Sequence, residues 1–410
     1  MYRLLDGLRV VECASFIAGP SCGLHLAQMG AEVVRIDSIG GGPDFRRFPR
    51  APNGSSLYWE GLNKGKKSVA LDLGKPEGRE LALAIATAPG PGSGQFLTNF
   101  PVDSFLAHAK LAALRKDMIT LRIMGWADGR TALDYTVNSA LGIPLMTGPD
   151  SLGDQPVNHV LPAWDLAAGL YAAFAMLAAE RRRTITGQGE EIRLPLGDIA
   201  MASLGHLGQI AEVSLGGDRK RYGNDLYGAF GRDFPTADGR RVVIIALTRR
   251  HWLDLVKTLG ISDRISEIER ELQLDFGSDE GLRFEHRHRL NPIVAEAVAH
   301  HGAAELASLF EGTGVCWGDY NTLGEAVGDR QLISAANPIF SMVEHVSGAI
   351  YLTPGAAATL TGSERHDAVR APRLGENTDE VLAEILGLSD GQIGVLHDAG
   401  AVAGPDGTPA

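Results

Sequence analysis

A single carboxylate stands where apolar sequence gives way to a small-residue helix: Asp165, in the segment NHVLPAWDLAAG that runs from Asn158 to Gly169. Asp is favoured at helix N-caps, the LAAGLYAAFAMLAAERRR that follows is strongly helical, and its basic last turn suits the helix dipole. Read locally, Asp165 is an N-cap; an Asp carboxylate can also serve as a nucleophile. Gly40-Gly41-Gly42 follows a strand, where a nucleotide site can sit. It lacks the Gly-x-Gly-x-x-Gly spacing and opens no helix, so it reads as a turn and not as a dinucleotide site. Lys64, Lys66 and Lys67 place three ammonium groups ahead of another strand, either to face an anionic ligand or as a solvated charge run.

These residues need elements to position them. Leu8 to Cys13 reads as a strand, Gly19-Pro20 as a break, Ser21 to Met29 as a helix and Glu32 to Ile36 as a second strand. Strands follow at Ser68 to Leu73, Gln95 to Asn99 and Met118 to Ile123, with a helix at Pro76 to Ala88 that opens on proline. Such alternation specifies a parallel sheet in an α/β domain. Beyond the Ala-rich helix, Gly187 to Leu196 reads as extended, Asp198 to Val213 as helical and Gly216 to Asn224 as a linker. A second, α+β unit opens near Tyr227 with a hairpin, Phe230 to Pro235 and Arg241 to Leu247 around Asp238-Gly239, and continues with helices at His251 to Leu259 and Gly281 to His300. The chain leaves this unit near Gly324 to Asn337. It ends with a strand at Ser347 to Thr353 and helices at Thr378 to Leu386 and Asp390 to Ala399.

The 410 residues exceed one ordinary core and suit an enzyme of two or three domains. A net charge of −12 argues against nucleic acid as a partner, because no basic stripe is available for phosphates. Cys13, Cys22 and Cys316 are sparse and lack metal-ligand spacing, which fits a reducing compartment. Met1 to Asp6 is unlike a signal peptide and no apolar run reaches membrane-spanning length, so no membrane partner and a cytoplasmic location are expected.

The opening GLRVVECASFIAGPSCGLHLAQMGAEVVRID, from Gly7 to Asp37, resembles the start of the class III CoA-transferases, a family that includes acyl-CoA racemases. The resemblance extends over almost the whole chain, through APRLGENTDE at Ala371 to Glu380. It implies a large Rossmann-like domain built from both chain ends, residues 1–215 and 330–410, a smaller α+β domain at 225–325, and an interlocked homodimer. Asp165 matches the family's catalytic carboxylate. The resemblance also implies cofactor-side roles: Ile17 and Ala18 at the adenine and pantetheine side, and Arg47 as a phosphate contact, with a solvated surface arginine as the alternative. Leu71 and Asp72 match positions whose backbone lies near CoA, Asn99 and Phe100 match an Asn-Phe signature, and Asp134 joins the cofactor-binding set.

Where the racemases carry a catalytic His before Asp134, this chain has Leu133. An aliphatic side chain cannot exchange the α-proton, which argues against racemisation. The segments Asn158 to Asp165, Gly205 to Gly208, Gly223-Asn224 and Leu226 to Phe234 are similar to the subgroup that isomerises 2-methylfumaryl-CoA, moving CoA from C1 to C4 of mesaconate. The implied mechanism attacks the thioester through Asp165 and passes through an aspartyl anhydride and an aspartyl-CoA thioester. It expects no tightly bound cofactor, CoA as part of the substrate, and an acyl-CoA thioester of a small dicarboxylic acid as the partner. Arg232 would clamp the free carboxylate, with Asn224, Tyr227 or His159 assisting; His159 can equally be a core histidine. Intermolecular CoA transfer and non-catalytic CoA binding are the alternatives.

Overall fold

The computed structural model describes residues 1–101 and 103–405. The chain opens with β1 (Arg9–Cys13), α1 (Ala18–Gln28), β2 (Glu32–Ser38), α2 (Leu57–Leu62), β3 (Lys67–Leu71), α3 (Pro76–Thr87), β4 (Gln95–Thr98), α4 (His108–Leu114) and β5 (Ile119–Met124). It continues through α5 (Asp134–Ala140), α6 (Ile143–Met146), α7 (Ala163–Thr186), β6 (Glu190–Pro195), α8 (Leu196–His206) and α9 (Gln209–Gly216). Next come β7 (Phe230–Pro235), β8 (Arg241–Ala246), α10 (Arg249–Thr258), α11 (Ser262–Leu272), α12 (Glu280–Glu285), α13 (Arg287–Ala299), α14 (Ala303–Phe310), β9 (Cys316–Asp319) and α15 (Leu323–Gly328). The last elements are β10 (Phe340–Glu344), β11 (Ile350–Pro354), α16 (Thr378–Leu386), α17 (Asp390–Asp398) and β12 (Val402–Ala403).

Two compact units result: residues 1–141, 160–211 and 329–410 form the first, residues 142–159 and 212–328 the second. Segment 142–159, placed by the sequence reading in the large domain, thus clusters with the smaller unit. In the first unit seven strands lie in the order β12-β3-β2-β1-β4-β5-β6, parallel except for β12 beside β3. Side chains alternate across a strand, so neighbouring apolar residues of β1 enter opposite cores. Val10 packs with Cys22 and Leu26 of α1 and Ala172 and Met176 of α7. Val11 packs with Ile85 of α3 and Val381 and Leu382 of α16. Burial on both faces is why these strands read as continuous apolar runs.

In the second unit β7, β8 and β9 form an antiparallel sheet, with Gly239 at φ +78° in the β7–β8 turn. Phe230, Phe234, Val242 and Ile244 pack from this sheet onto Trp252 of α10 and Leu290 and Val294 of α13. Period-two alternation therefore locates the hairpin correctly. Other boundaries differ from the sequence reading. α1 includes Gly19 and Pro20, because a proline in the first turn forfeits no helical hydrogen bond. The helix expected at Asp198 to Val213 divides into α8 and α9 at Gly208, whose φ is +75°. The one expected at Gly281 to His300 divides into α12 and α13, and α4, α11, α14, β9 and β10 were not anticipated. Among the described residues no helix is long and apolar enough to cross a membrane.

Candidate active site

β1 and β4 are adjacent, yet β1 leads on to β2 on one side while β4 leads on to β5 on the other. Ligands of open parallel sheets bind beyond the carboxyl ends of strands at such a reversal. A cleft of about 530 Å3 lies there, and the structure brings Ile17, Ala18, Asn99, Phe100 and Asp165 to it. Leu133 lines it too, without a titratable group.

Asp165 is not the helix cap. Pro162 occupies the N-cap of α7 and Asp165 lies within the first turn. The capping acceptor comes from α5: Asp134 Oδ2 accepts from the backbone N–H of Trp164 at 2.7 Å and of Asp165 at 3.0 Å. Trp164 Nε1 also donates to Asn138 Oδ1 at 3.2 Å, a second tie between the two helices. Asp134 is buried, and its Oδ1 has no hydrogen-bond partner among the described residues. Asp134, expected among the cofactor-binding residues, thus positions the first turn of α7 through its carboxylate. Burial, and then the charge of Asp134, push the Asp165 carboxyl up to about 7 against the opposing pull of Arg47.

The turn between β1 and α1 is held from β4. Asn99 Nδ2 donates to Ser15 O at 3.1 Å and its Oδ1 accepts from Ser15 N–H at 3.3 Å, so its amide shapes the turn. The next residue, Phe16, has φ +71°, a region that bulky side chains occupy only when their surroundings impose it. Arg47 is exposed, with its guanidinium 5.6 Å from the Phe16 ring centre and 5.4 Å from that of Tyr58. It sits on aromatic faces with its charge felt at Asp165. Tyr58 went unnoticed in the sequence because nothing local marks it. Its hydroxyl is buried without a hydrogen-bond partner among the described residues, and burial raises its pKa, with added contributions from Asp44 and Asp165.

The lysine run meets neither expectation. Lys66 is buried and bonds to Glu12 Oε2 at 2.9 Å, Pro20 O at 2.8 Å and Asn63 Oδ1 at 3.0 Å. Lys64 is buried on Pro354 O at 2.8 Å, and Lys67 pairs with Glu32 and Glu380. Glu12 also meets Arg35, which binds Asp37 and Asp44 as well. Asp44 of the DFRR segment is thus a structural counter-charge. Leu71 and Asp72 line a separate cleft of about 580 Å3 with Ser38, Gly74 and His397.

His159, Asn224, Tyr227 and Arg232 belong to the second unit. Asn224 and Arg232 line a cleft there of about 520 Å3. Arg232 Nη1 donates to Asp225 Oδ1 at 3.0 Å and Asn224 Nδ2 to Asp233 Oδ1 at 2.9 Å. Tyr227 packs 5.0 Å from the Tyr222 ring and its hydroxyl donates to Glu212.

A family-wide profile described as CoA-transferase family III matches residues 5–378. The chain belongs to this family. Among the CoA-transferase relatives, 2-methylfumaryl-CoA isomerase of Chloroflexus aurantiacus is 46% identical over 408 residues, covering 99% of each chain. Succinyl-CoA--D-citramalate CoA-transferase of the same organism is 29% identical over 96% of this chain and 97% of its own. The crystal structure of a CAIB/BAIF family protein from Brucella suis shares the fold, with a TM-score of 0.75 and 24% identity over 94% of this chain and all of that one.

Proposed function

We propose that the chain is a 2-methylfumaryl-CoA isomerase, moving CoA between the C1 and C4 carboxylates of mesaconate within one active-site cycle. The observation that carries this reading is Asp165, a half-buried carboxylate with a raised pKa in the cleft at the sheet's reversal point. Near-full-length 46% identity to a relative of that name supports the substrate.

The cycle follows from the chemistry of a carboxylate and a thioester. Asp165 attacks the C1 carbonyl; the C–S bond breaks and CoA leaves as thiolate, giving a mixed anhydride. Thiolate then attacks the aspartyl carbonyl and expels mesaconate, leaving an aspartyl-CoA thioester. The C4 carboxylate attacks that carbonyl, thiolate departs again, and its return to C4 regenerates Asp165. No net proton is taken up. A water-poor site keeps the anhydride from hydrolysis, and the poorly solvated Asp165 carboxylate loses little hydration on attack.

CoA enters as part of the substrate, with no tightly bound cofactor. Ile17 and Ala18 are proposed for the adenine and pantetheine side of CoA, Asn99 and Phe100 for its groove, Leu71 and Asp72 to lie near CoA by their backbone, and Arg47 as a phosphate contact. Dicarboxylate binding is the role proposed for His159, Asn224, Tyr227 and Arg232. A homodimer is supported by the exposed apolar stripe Leu166, Leu170, Tyr171 and Phe174 on α7, and a cytoplasmic location by the sparse reduced cysteines. Leu133 in the cleft disfavours racemisation.

Unlabelled mesaconyl-C1-CoA incubated with labelled free mesaconate is the test. The C4-CoA product should carry almost no label; label entering as fast as isomer forms identifies an intermolecular transferase instead.

A further inference from the structure

The cleft that holds Asp165 also holds a cation that the cycle above does not use. Arg122, on β5, lines the cleft and is 1% exposed. Its Nη1 donates to the carbonyl oxygens of Phe100 and Pro101, the latter at 3.0 Å. Nε and Nη2 are buried and have no hydrogen-bond partner among the described residues. Nε lies 3.7 Å from Glu191 Oε1, an ion pair beyond hydrogen-bonding reach. Buried N–H groups of a charged side chain are ordinarily satisfied, because their lost hydration is otherwise unreplaced. Two adjacent unsatisfied groups on one edge of a guanidinium form a fork whose spacing matches the two oxygens of a carboxylate.

The surroundings favour an acyl carboxylate over a phosphate. Arg130 is the other cation on the described wall of this cleft, and it is exposed and paired with Asp128 at 2.7 Å. Ile17, Phe100, Ile123, Leu133 and Leu196 make much of the remaining wall apolar, suited to a small hydrocarbon chain and not to a diphosphate. Glu191 keeps a partner when a ligand takes the fork, since its Oε2 meets Arg193 Nη2 at 2.8 Å. We propose that Arg122 binds the free carboxylate of the acyl group through Nε and Nη2 while the thioester end reacts at Asp165. This residue would select dicarboxylic over monocarboxylic thioesters and retain the acid during the cycle. The inference rests on the proposed isomerase reading.

The test compares wild type with Arg122→Gln, and with Arg122→Lys in case the first variant folds poorly. Three ligands are measured: mesaconyl-C1-CoA as substrate, methacrylyl-CoA as its analogue lacking the free carboxylate, and CoA. In Arg122→Gln the KM for mesaconyl-C1-CoA should rise about 10- to 100-fold, as expected for loss of charge-assisted bonds. Inhibition by methacrylyl-CoA and CoA should stay within about twofold, and labelled mesaconate should begin to enter the product. Arg122→Lys should fall between the two, because a point charge cannot reproduce the fork. Equal weakening of all three ligands means that Arg122 holds a phosphate or only the Phe100–Pro101 turn, and overturns the proposal; so does no change in any. Wild type that binds methacrylyl-CoA as tightly as mesaconyl-C1-CoA also overturns it, whatever the variants do. Failure of the isomerase reading shows separately, as wild-type transfer to added acid without isomerisation.

Discussion

At the residue scale, Asp165 is the proposed nucleophile, and Asp134 holds its turn and raises its pKa. The nucleophile is the ionised carboxylate, so the acidic limb of kcat/KM should fall as pH drops through about 7. Asp165→Asn should lower turnover by at least about 10^3-fold while CoA still binds. The stability effect has the opposite direction. A carboxyl raised from an unfolded value of about 3.9 binds its proton more tightly when folded, so stability is lost as pH rises from that value through about 7. Relative to wild type, Asp165→Asn should therefore gain about 1–3 kcal/mol between pH 4 and pH 8, allowing for partial solvent contact, as measured by denaturant titration. Asp134→Asn isolates the neighbour's charge. An amide oxygen still accepts from Trp164 and Asp165 N–H, so the turn remains while the repulsion goes, and the acidic limb should move to lower pH. An unmoved limb would show that burial alone raises Asp165.

At the element scale, the position of the nucleophile depends on how closely α7 approaches α1. Gly169, one turn beyond Asp165, lies so near that an added Cβ would come 2.8 Å from Ser21 Cβ and 3.1 Å from Ala18 O. Overpacking of this kind costs about 1–3 kcal/mol, whereas Ala exceeds Gly in helix propensity by only about 1 kcal/mol. Gly169→Ala should thus lower the melting temperature and reduce kcat, and adding Ser21→Gly should recover part of both, because the two sites share one contact. A stabilised single variant with unchanged kcat would show that the first turn of α7 is set by α5 alone. The sequence made α7 visible through its small residues and basic end. It did not show why they are small, since the contact with α1 joins segments far apart in the chain.

At the scale of the whole molecule, α7 presents Leu166, Leu170, Tyr171 and Phe174 to solvent, the last 65% exposed. The i, i+4, i+8 spacing puts Leu166, Leu170 and Phe174 on one face, with Tyr171 alongside, and an apolar face of this kind is expected to be covered. Sedimentation should therefore give twice the 43.6 kDa chain mass, and Phe174→Asp should shift the protein towards monomer or aggregate. A monodisperse wild-type monomer at micromolar concentration would refute the dimer.

Local rules carried the sequence reading where local physics decides. The hairpin followed from alternation and Asp238-Gly239, α16 from its apolar spacing, and the parallel sheet from strands alternating with helices. Helix-capping preference alone misplaced Asp165, because Pro162 takes the N-cap of α7. What the tertiary structure decided were partnerships across sequence distance. Asp134 caps a helix that begins 29 residues later, Lys66 leaves the surface to neutralise Glu12, and Asn99 clamps Ser15. Arg122, on the wall of the cleft, keeps two buried N–H groups without a hydrogen-bond partner among the described residues. The sign and hydration of a polar side chain depend on what the fold packs against it, and periodicity reports only which face of its own element it occupies.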